Sequence, residues 1–209
     1  MKKVLLDTSV YGRIIEKNEI ESFRKLIKDK IIIYGNRLIR KELRNTPKKI
    51  KIESDREKLR NLRIYLLTLY DELIKSHSFE ITKEISDLAG NYYSVYRELG
   101  GNKSKTDILN DFIIVACASF KKMDIVVSED EKTMFSRNAI RAYKLVNKLK
   151  DIRVPIFINY ENLKKSLRGG NFDKFSDNLS EFRIFNIFFV LLPYFFIYLF
   201  FCFHNKNNL

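Results

Sequence analysis

Short apolar runs alternate with longer stretches of helical periodicity along this chain. Val4, Leu5 and Leu6 form a run that stops at Asp7, as expected of a buried parallel strand. Asp7, Thr8 and Ser9 then offer N-cap side chains for a helix to about residue 16. Ile20, Phe23, Leu26 and Ile27 recur at helical spacing and predict a helix over 20–28. The β-branched run 31–34 predicts a second strand, broken by Gly35 and Asn36. Residues 37–44 read as a short helix carrying Glu42, which Thr46 and Pro47 end.

The middle of the chain repeats this alternation. Leu59, Leu62, Leu66, Leu69 and Leu73 line one face of a long amphipathic helix over 55–75. A brief extended piece over 79–81 and a helix over 83–99 follow, closed by Gly100 and Gly101. Residues 100–106 are polar and loop-like. The helix predicted over 107–120 carries Ile108, Phe112, Ile113, Val115, Ala116 and Ala118, enough to bury most of it. Residues 125–127 predict a third strand, 131–149 a helix and 154–158 a last core strand. No internal repeat is visible. Strands alternating with helices imply an α/β fold with a mainly parallel central sheet flanked by helices.

The C-terminal part departs from this pattern. The front domain is expected over 1–165. A polar linker over 166–183 contains Gly169 and Gly170, and 184–203 is a 20-residue stretch without charge, before a polar terminus at 204–209. At 1.5 Å per residue a helix of that length is about 30 Å long, the thickness of a hydrocarbon core. Pro193 would kink it, which membrane helices tolerate. A membrane-inserted or membrane-associated segment is the first expectation. A helix buried in an oligomer and a terminus without an evolved role are the alternatives. Lys164, Lys165, Arg168, Lys174 and Arg183 precede the segment and only Lys206 follows it, which would keep the front domain in the cytoplasm.

Charge and cysteine usage narrow the chemistry. The net charge is +13 over 209 residues, from 39 Lys and Arg against 26 Asp and Glu. That excess suits a polyanionic partner such as nucleic acid or an anionic membrane surface, or a surface solubilised by lysine. Cys117 and Cys202 make neither a disulfide framework nor a metal-ligand spacing, and His77 and His204 belong to no metal motif. A zinc site or a histidine-dependent triad is thus not expected. A metal here would be held by carboxylates, which points to Mg²⁺ or Mn²⁺.

Four acids stand at informative positions. Asp7 directly follows the first strand, Glu42 lies on the helix after the second, Asp111 lies near the start of the apolar helix, and Asp130 follows the third strand by three residues. Ligand sites of open parallel sheets form beyond the carboxyl ends of strands. Carboxylates gathered there repel one another unless a cation neutralises them. One or two hard divalent ions would do so, and would activate water against a phosphodiester. Plainer roles compete. Asp7 is also a natural helix cap, Glu42 in isolation reads as a solvated helix residue, and Asp107 as an N-cap. Glu129 and Glu131 read as solvent-facing neighbours, and Thr8 and Ser128 as partners of nearby backbone. Asp111 interrupts an apolar helix, where an unpaired charge is costly.

In this order, these segments resemble the PIN domain family. Residues 4–10 (VLLDTSV) look like its opening strand with the first aspartate, 40–43 (RKEL) like its second acidic motif, 111–118 (DFIIVACA) like the apolar helix that starts with the third acid, and 125–130 (IVVSED) like the last strand with its Ser/Thr and the fourth position. The resemblance spans about residues 1–160 and implies a Rossmann-like sheet. It implies Mg²⁺- or Mn²⁺-dependent cleavage of RNA, with Asp7, Glu42, Asp111 and Asp130 as catalytic metal ligands and Ser9 and Ser128 as supporting donors. It also implies kinship with VapC-type toxins, hence an antitoxin partner and a homodimer. Thr133 and Met134 stand where small toxins often have Asp and Phe, and the hydrophobic tail is not part of the VapC pattern. Arg13, Arg40, Lys41, Lys103 and Lys105 are candidates to attract RNA phosphates. The alternative function is a non-catalytic RNA-binding or membrane-tethered interaction module on the same fold.

Overall fold

Val4, Leu5 and Leu6 are fully buried, which a strand achieves only with helices on both faces of its sheet. The computed structural model describes residues 1–46, 62–170 and 172. Its elements run β1 (Lys2–Leu6), α1 (Thr8–Glu16), α2 (Ile20–Ile27), β2 (Ile31–Asn36), α3 (Arg37–Asn45), α4 (Leu62–Ile74), β3 (Ser78–Phe79), α5 (Lys83–Glu98), α6 (Lys105–Phe120), β4 (Ile125–Val127), α7 (Arg137–Leu149), β5 (Ile156–Ile158) and α8 (Tyr160–Gly169). The five strands form one sheet in the order β3-β2-β1-β4-β5, and every pairing is parallel. This is the expected α/β architecture, with a sheet that is parallel throughout.

The strand order fixes where a ligand site can form. β1 connects onward to β2 on one side, whereas β4 connects to β5 on the other. The carboxyl ends of β1 and β4 therefore border a topological switch point, the usual ligand crevice of such sheets. Leu6 pairs with Val127 across the two strands, so the residues that follow, Asp7 and Ser128, emerge side by side.

Below this crevice the core is dominated by α6. Ile108, Phe112, Ile114, Val115, Ala116, Cys117 and Ala118 are all fully buried. Phe112 packs edge-on against Tyr92, Tyr96 and Tyr143, with ring centroids 5.4–6.4 Å apart. Aromatic pairs in this geometry add about 0.5–1.5 kcal/mol each beyond their buried area. Asp111 directly precedes this cluster on the helix, so its backbone is held by the best-packed part of the molecule.

Several elements differ from the sequence-based expectation. β2 does not break at Gly35. It continues to Asn36, whose Oδ1 accepts from Ile39 N–H at 3.0 Å and caps α3. Tyr70 Oη donates to Asn36 O at 2.9 Å, and a Cβ at residue 35 would lie 2.4 Å from that Tyr70 oxygen. Only glycine leaves the space. The extended piece is a true edge strand at Ser78–Phe79, because β2 reaches far enough to pair with it. α6 starts earlier than expected, at Lys105, because Ser104 is the cap. α7 starts only at Arg137, since Asp130 turns the chain over 131–135 and Ser136 caps the helix. α8 was not foreseen. It crosses the expected 165/166 boundary with Ser166 and Leu167 buried. The first part (55–61) of the helix expected over 55–75, the linker beyond 172, the hydrophobic stretch 184–203 and the terminus 204–209 lie outside the described residues. Among the described residues, no helix is long and apolar enough to cross a membrane.

Candidate active site

Asp7 is placed by the sheet itself. Its N–H donates to Val127 O at 2.9 Å, and its side chain caps α1 through Ser9 N–H. The cap expectation is thus met, by the same residue that is the first expected site acid. Three hydroxyls hold its carboxylate. Ser9 Oγ donates to Oδ2 at 2.6 Å, Ser128 Oγ to Oδ2 at 2.8 Å and Thr8 Oγ1 to Oδ1 at 3.2 Å. Ser9 Oγ accepts from Glu129 N–H at 3.1 Å and Ser128 Oγ from Asp130 N–H at 3.0 Å. This relay ties the end of β1 to the loop after β4. Asp7 is only 5% exposed and Ser128 fully buried, so the corner is closed to solvent competition.

Glu42 is carried into the site by α3. Ile39 and Leu43 are buried and set the roll of the helix, while Glu42 takes an intermediate position on its flank. Asn110 Nδ2 donates to Glu42 Oε1 at 2.8 Å. Burial raises the Glu42 pKa above the ordinary carboxylate value, the Asp7 charge raises it further, and hydrogen bonds from Asn110 and Thr8 partly offset this.

Asp111 and Asp130 meet through Thr133. Asp130 Oδ1 accepts from Lys132 N–H at 2.9 Å and Thr133 N–H at 2.8 Å. The Asx turn so formed presents the Thr133 hydroxyl inward. That hydroxyl lies 2.5 Å from Asp111 Oδ2 and also contacts Asp130 Oδ2. The Asp111 pKa is pushed up to about 7. Burial is the main cause; the Thr133 hydrogen bond opposes it, and the charges of Asp7, Asp130 and Glu42 add to it. The charges of the other three expected acids therefore all reach Asp111 at the switch point.

Other expected roles are revised. Asp107 is not an N-cap: it lies in the first turn of α6, exposed, with its Oδ2 accepting from the Ser104 hydroxyl at 2.7 Å. Glu129 is not merely solvent-facing, because Oε1 accepts from Tyr160 N–H at 2.8 Å and so joins α8 to the Asp130 loop. Among the cations named for phosphate attraction, Arg13 pairs with Glu16 at 2.9 Å and Arg40 is bidentate to Asp71 at 2.9 Å. Lys41, Lys103 and Lys105 are exposed. Sequence reasoning missed Asn110 and the role of Thr133. The signals were present: a second polar residue beside Asp111 in an apolar helix, and the D-x-x-T spacing of a side-chain-capped turn.

The oxygen-only donor set and the mutual repulsion of its acids suit a hard divalent cation. Among the described residues, however, no three acidic, histidine or cysteine side chains are arranged to hold one metal ion. The carboxylates are instead engaged by Ser9, Ser128, Thr133 and Asn110. A cation would bind by drawing them away from these neutral partners.

A parallel sheet with acids gathered at its switch point defines a class of α/β domain. The chain belongs to the PIN domain family, whose sequence model matches residues 4–141. Among solved structures, VapBC2 from Rickettsia felis bound to a DNA fragment from their promoter includes a similar chain. The TM-score is 0.50 at 14% identity, with 76% of this chain and 98% of that chain covered. A chain of FitAB bound to an IR36 DNA fragment gives a TM-score of 0.46 at 18% identity, with 65% and 90% covered. At such identities the likeness concerns the fold. No curated protein sequence matches the chain.

Proposed function

We propose that this protein is a metal-dependent endoribonuclease that hydrolyses RNA phosphodiester bonds, with Asp7, Glu42, Asp111 and Asp130 as its catalytic and metal-binding residues and Mg²⁺ or Mn²⁺ as cofactor. The observation that carries the reading is the electrostatic convergence of four acids at the switch point, with Asp111 pushed up to about 7 by burial and by the other three. Such an arrangement destabilises the metal-free fold, and a bound cation would offset the repulsion. When bound, the ion polarises the scissile phosphate and neutralises charge developing on it. The chain's own residues do the rest. Ser9, Ser128 and Thr8 orient Asp7, Asn110 orients Glu42, and Thr133 holds Asp111 and Asp130 in register.

Membership of the PIN family supports nuclease chemistry in general. The similarity to a chain of VapBC2 supports a toxin role with an antitoxin as protein partner. A homodimer and a cytoplasmic nuclease domain tethered to the membrane by 184–203 complete the reading. Fractionation of cells with and without residues 184–209 tests the tether, which fails if both forms stay soluble.

One observation favours a second reading, a non-catalytic RNA-binding module: no described acid cluster is arranged around a metal. Incubating the full chain with single-stranded RNA and Mn²⁺ separates the two. Cleavage that needs the metal and disappears in Asp7→Asn and Asp111→Asn is the expected result. Cleavage that persists in both variants would overturn the assignment, and salt-dependent binding without cleavage would establish the second reading.

A further inference from the structure

The two rims of the acidic site carry opposite charge. On the Asp130 side an open groove of about 430 Å³ is lined by Ser9, Glu129, Asp130, Glu131 and Lys132. Leaving aside Asp130, which the nuclease reading gives to the metal, Glu129 and Glu131 still set two carboxylates against one lysine on that rim and disfavour a phosphate there. On the Glu42 side, α3 presents Arg37, Lys41 and Arg44, all exposed. Their i, i+4, i+7 spacing puts them on one face of the helix. Among the described residues they make no close ion pair, although Arg44 feels the charge of Asp71, whose bidentate partner is Arg40 on the neighbouring face.

We infer that this face of α3 is the track along which the backbone of single-stranded RNA reaches the site. The inference rests on the nuclease reading and adds to it the side from which substrate enters. Three facts support the geometry. The Asn36 cap and the burial of Ile39 and Leu43 fix the roll of α3. That roll aims Glu42 at Asn110 while Lys41, the preceding residue, stays outside. The ridge spans about 10 Å along the helix, close to one Debye length at 0.1 M salt, so its charges act together on a polyanion. Some surface cations elsewhere are paired with acids, as in Arg24 with Glu21 and Glu72, or Lys17 with Glu161.

Binding of a 20-nucleotide single-stranded RNA to the full chain, in a non-cleaving Asp7→Asn background, tests the track. Each phosphate contact on a single strand contributes about 0.7 to the slope of log affinity against log salt. The triple variant Arg37→Gln, Lys41→Gln, Arg44→Gln is therefore expected to lower that slope by about 2 and to weaken binding at least about tenfold at 0.1 M salt. A matched triple, Lys122→Gln, Lys148→Gln, Lys150→Gln, removes equal charge near the amino ends of β4 and β5 and is expected to change affinity less than about threefold. Arg37→Lys with Arg44→Lys keeps the charge and is expected to bind as the parent does. With Asp7 intact, the ridge triple should raise KM and leave kcat nearly unchanged. Unaltered slope and affinity in the ridge triple, or an equal loss in the matched triple, overturns the track while leaving the nuclease reading in place. A parent chain that neither binds nor cleaves RNA overturns the nuclease reading itself.

Discussion

The Asp7 corner and the Asp111–Asp130 corner of the site are built in different ways. Asp7 is fixed by strand register, a helix cap and three hydroxyl donors, two on α1 and one on the loop after β4. Asp111 and Asp130 come from a helix and a turn, and their side chains are joined by the hydroxyl of Thr133. The first corner is over-determined by the backbone. The second depends on one side chain, which makes it adjustable and open to local perturbation. Mutations should therefore act through chemistry at Asp7, and through geometry and electrostatics at Asp111 and Asp130.

The largest effect is expected at Asp7. Asp7→Asn keeps the cap and the shape but removes the charge, so the fold should persist while cleavage falls at least about 10²–10³-fold, the scale of losing a preorganised charge stabiliser. Single-turnover RNA cleavage together with thermal melting checks this. A variant that loses activity only because it unfolds would break the contrast between the corners.

Asp111 carries a stability signature that depends on pH. Its folded pKa of about 7 lies above the ordinary carboxylate value. The folded state therefore holds the proton more tightly than the unfolded chain does. Stability from this group is greatest below about pH 4, declines as pH rises from about 4 to 7, and stays at its lowest above that. The loss has a ceiling of about 4 kcal/mol, which solvent at this partly exposed group reduces. In protein stripped of divalent ions, Asp111→Asn should gain melting temperature relative to the parent as pH rises to 7.5. Parallel melting curves across that range would contradict the buried, repelled carboxylate.

The same contrast explains what could be read from sequence. Asp7 was legible because a strand ending in an acid uses local rules of burial and capping, and the parallel sheet followed from the alternation of periods. Asp111 was legible as a charge interrupting an apolar helix. Glu42 looked like a surface residue by itself, since its place depends on the Asn36 cap and on packing against α6, which are long-range facts. Thr133 was assigned to a helix because its window has helical character, but the Asp130 side chain captures the two N–H groups and wins locally. α8 went unseen because its short run, with Leu163 and Leu167 inward, resembles a charged linker until Glu129 and Glu19 are placed beside Tyr160.

Thr133 offers the sharpest test of the adjustable corner. Thr133→Val preserves shape and removes the hydroxyl, and an orienting partner of a metal-binding group is worth about 10–100-fold in affinity or activity. The expected outcome is a loss of that size in cleavage, with a matching rise in the Mn²⁺ concentration needed for half-maximal binding, read by titrating free Mn²⁺. Thr133→Ser should restore both. If Val and Ser behave alike, the hydroxyl does not position the pair.

The smallest effect is expected at Asn110, on the third side of the site. Its amide donates to Glu42 at 2.8 Å from an exposed position, so water can take its place when it is removed. A hydrogen bond of this kind is worth about 0.5–1.5 kcal/mol, which corresponds to roughly two- to tenfold in rate. Asn110→Ala should therefore slow cleavage by no more than that and leave melting nearly unchanged, while Asn110→Asp, which sets a second negative charge against Glu42, should cost more. The order of the two variants carries the argument. If Asp at 110 is tolerated better than Ala, Glu42 is not held as an acceptor by Asn110, and the Glu42 side of the site resembles the adjustable corner less than the bonding pattern implies.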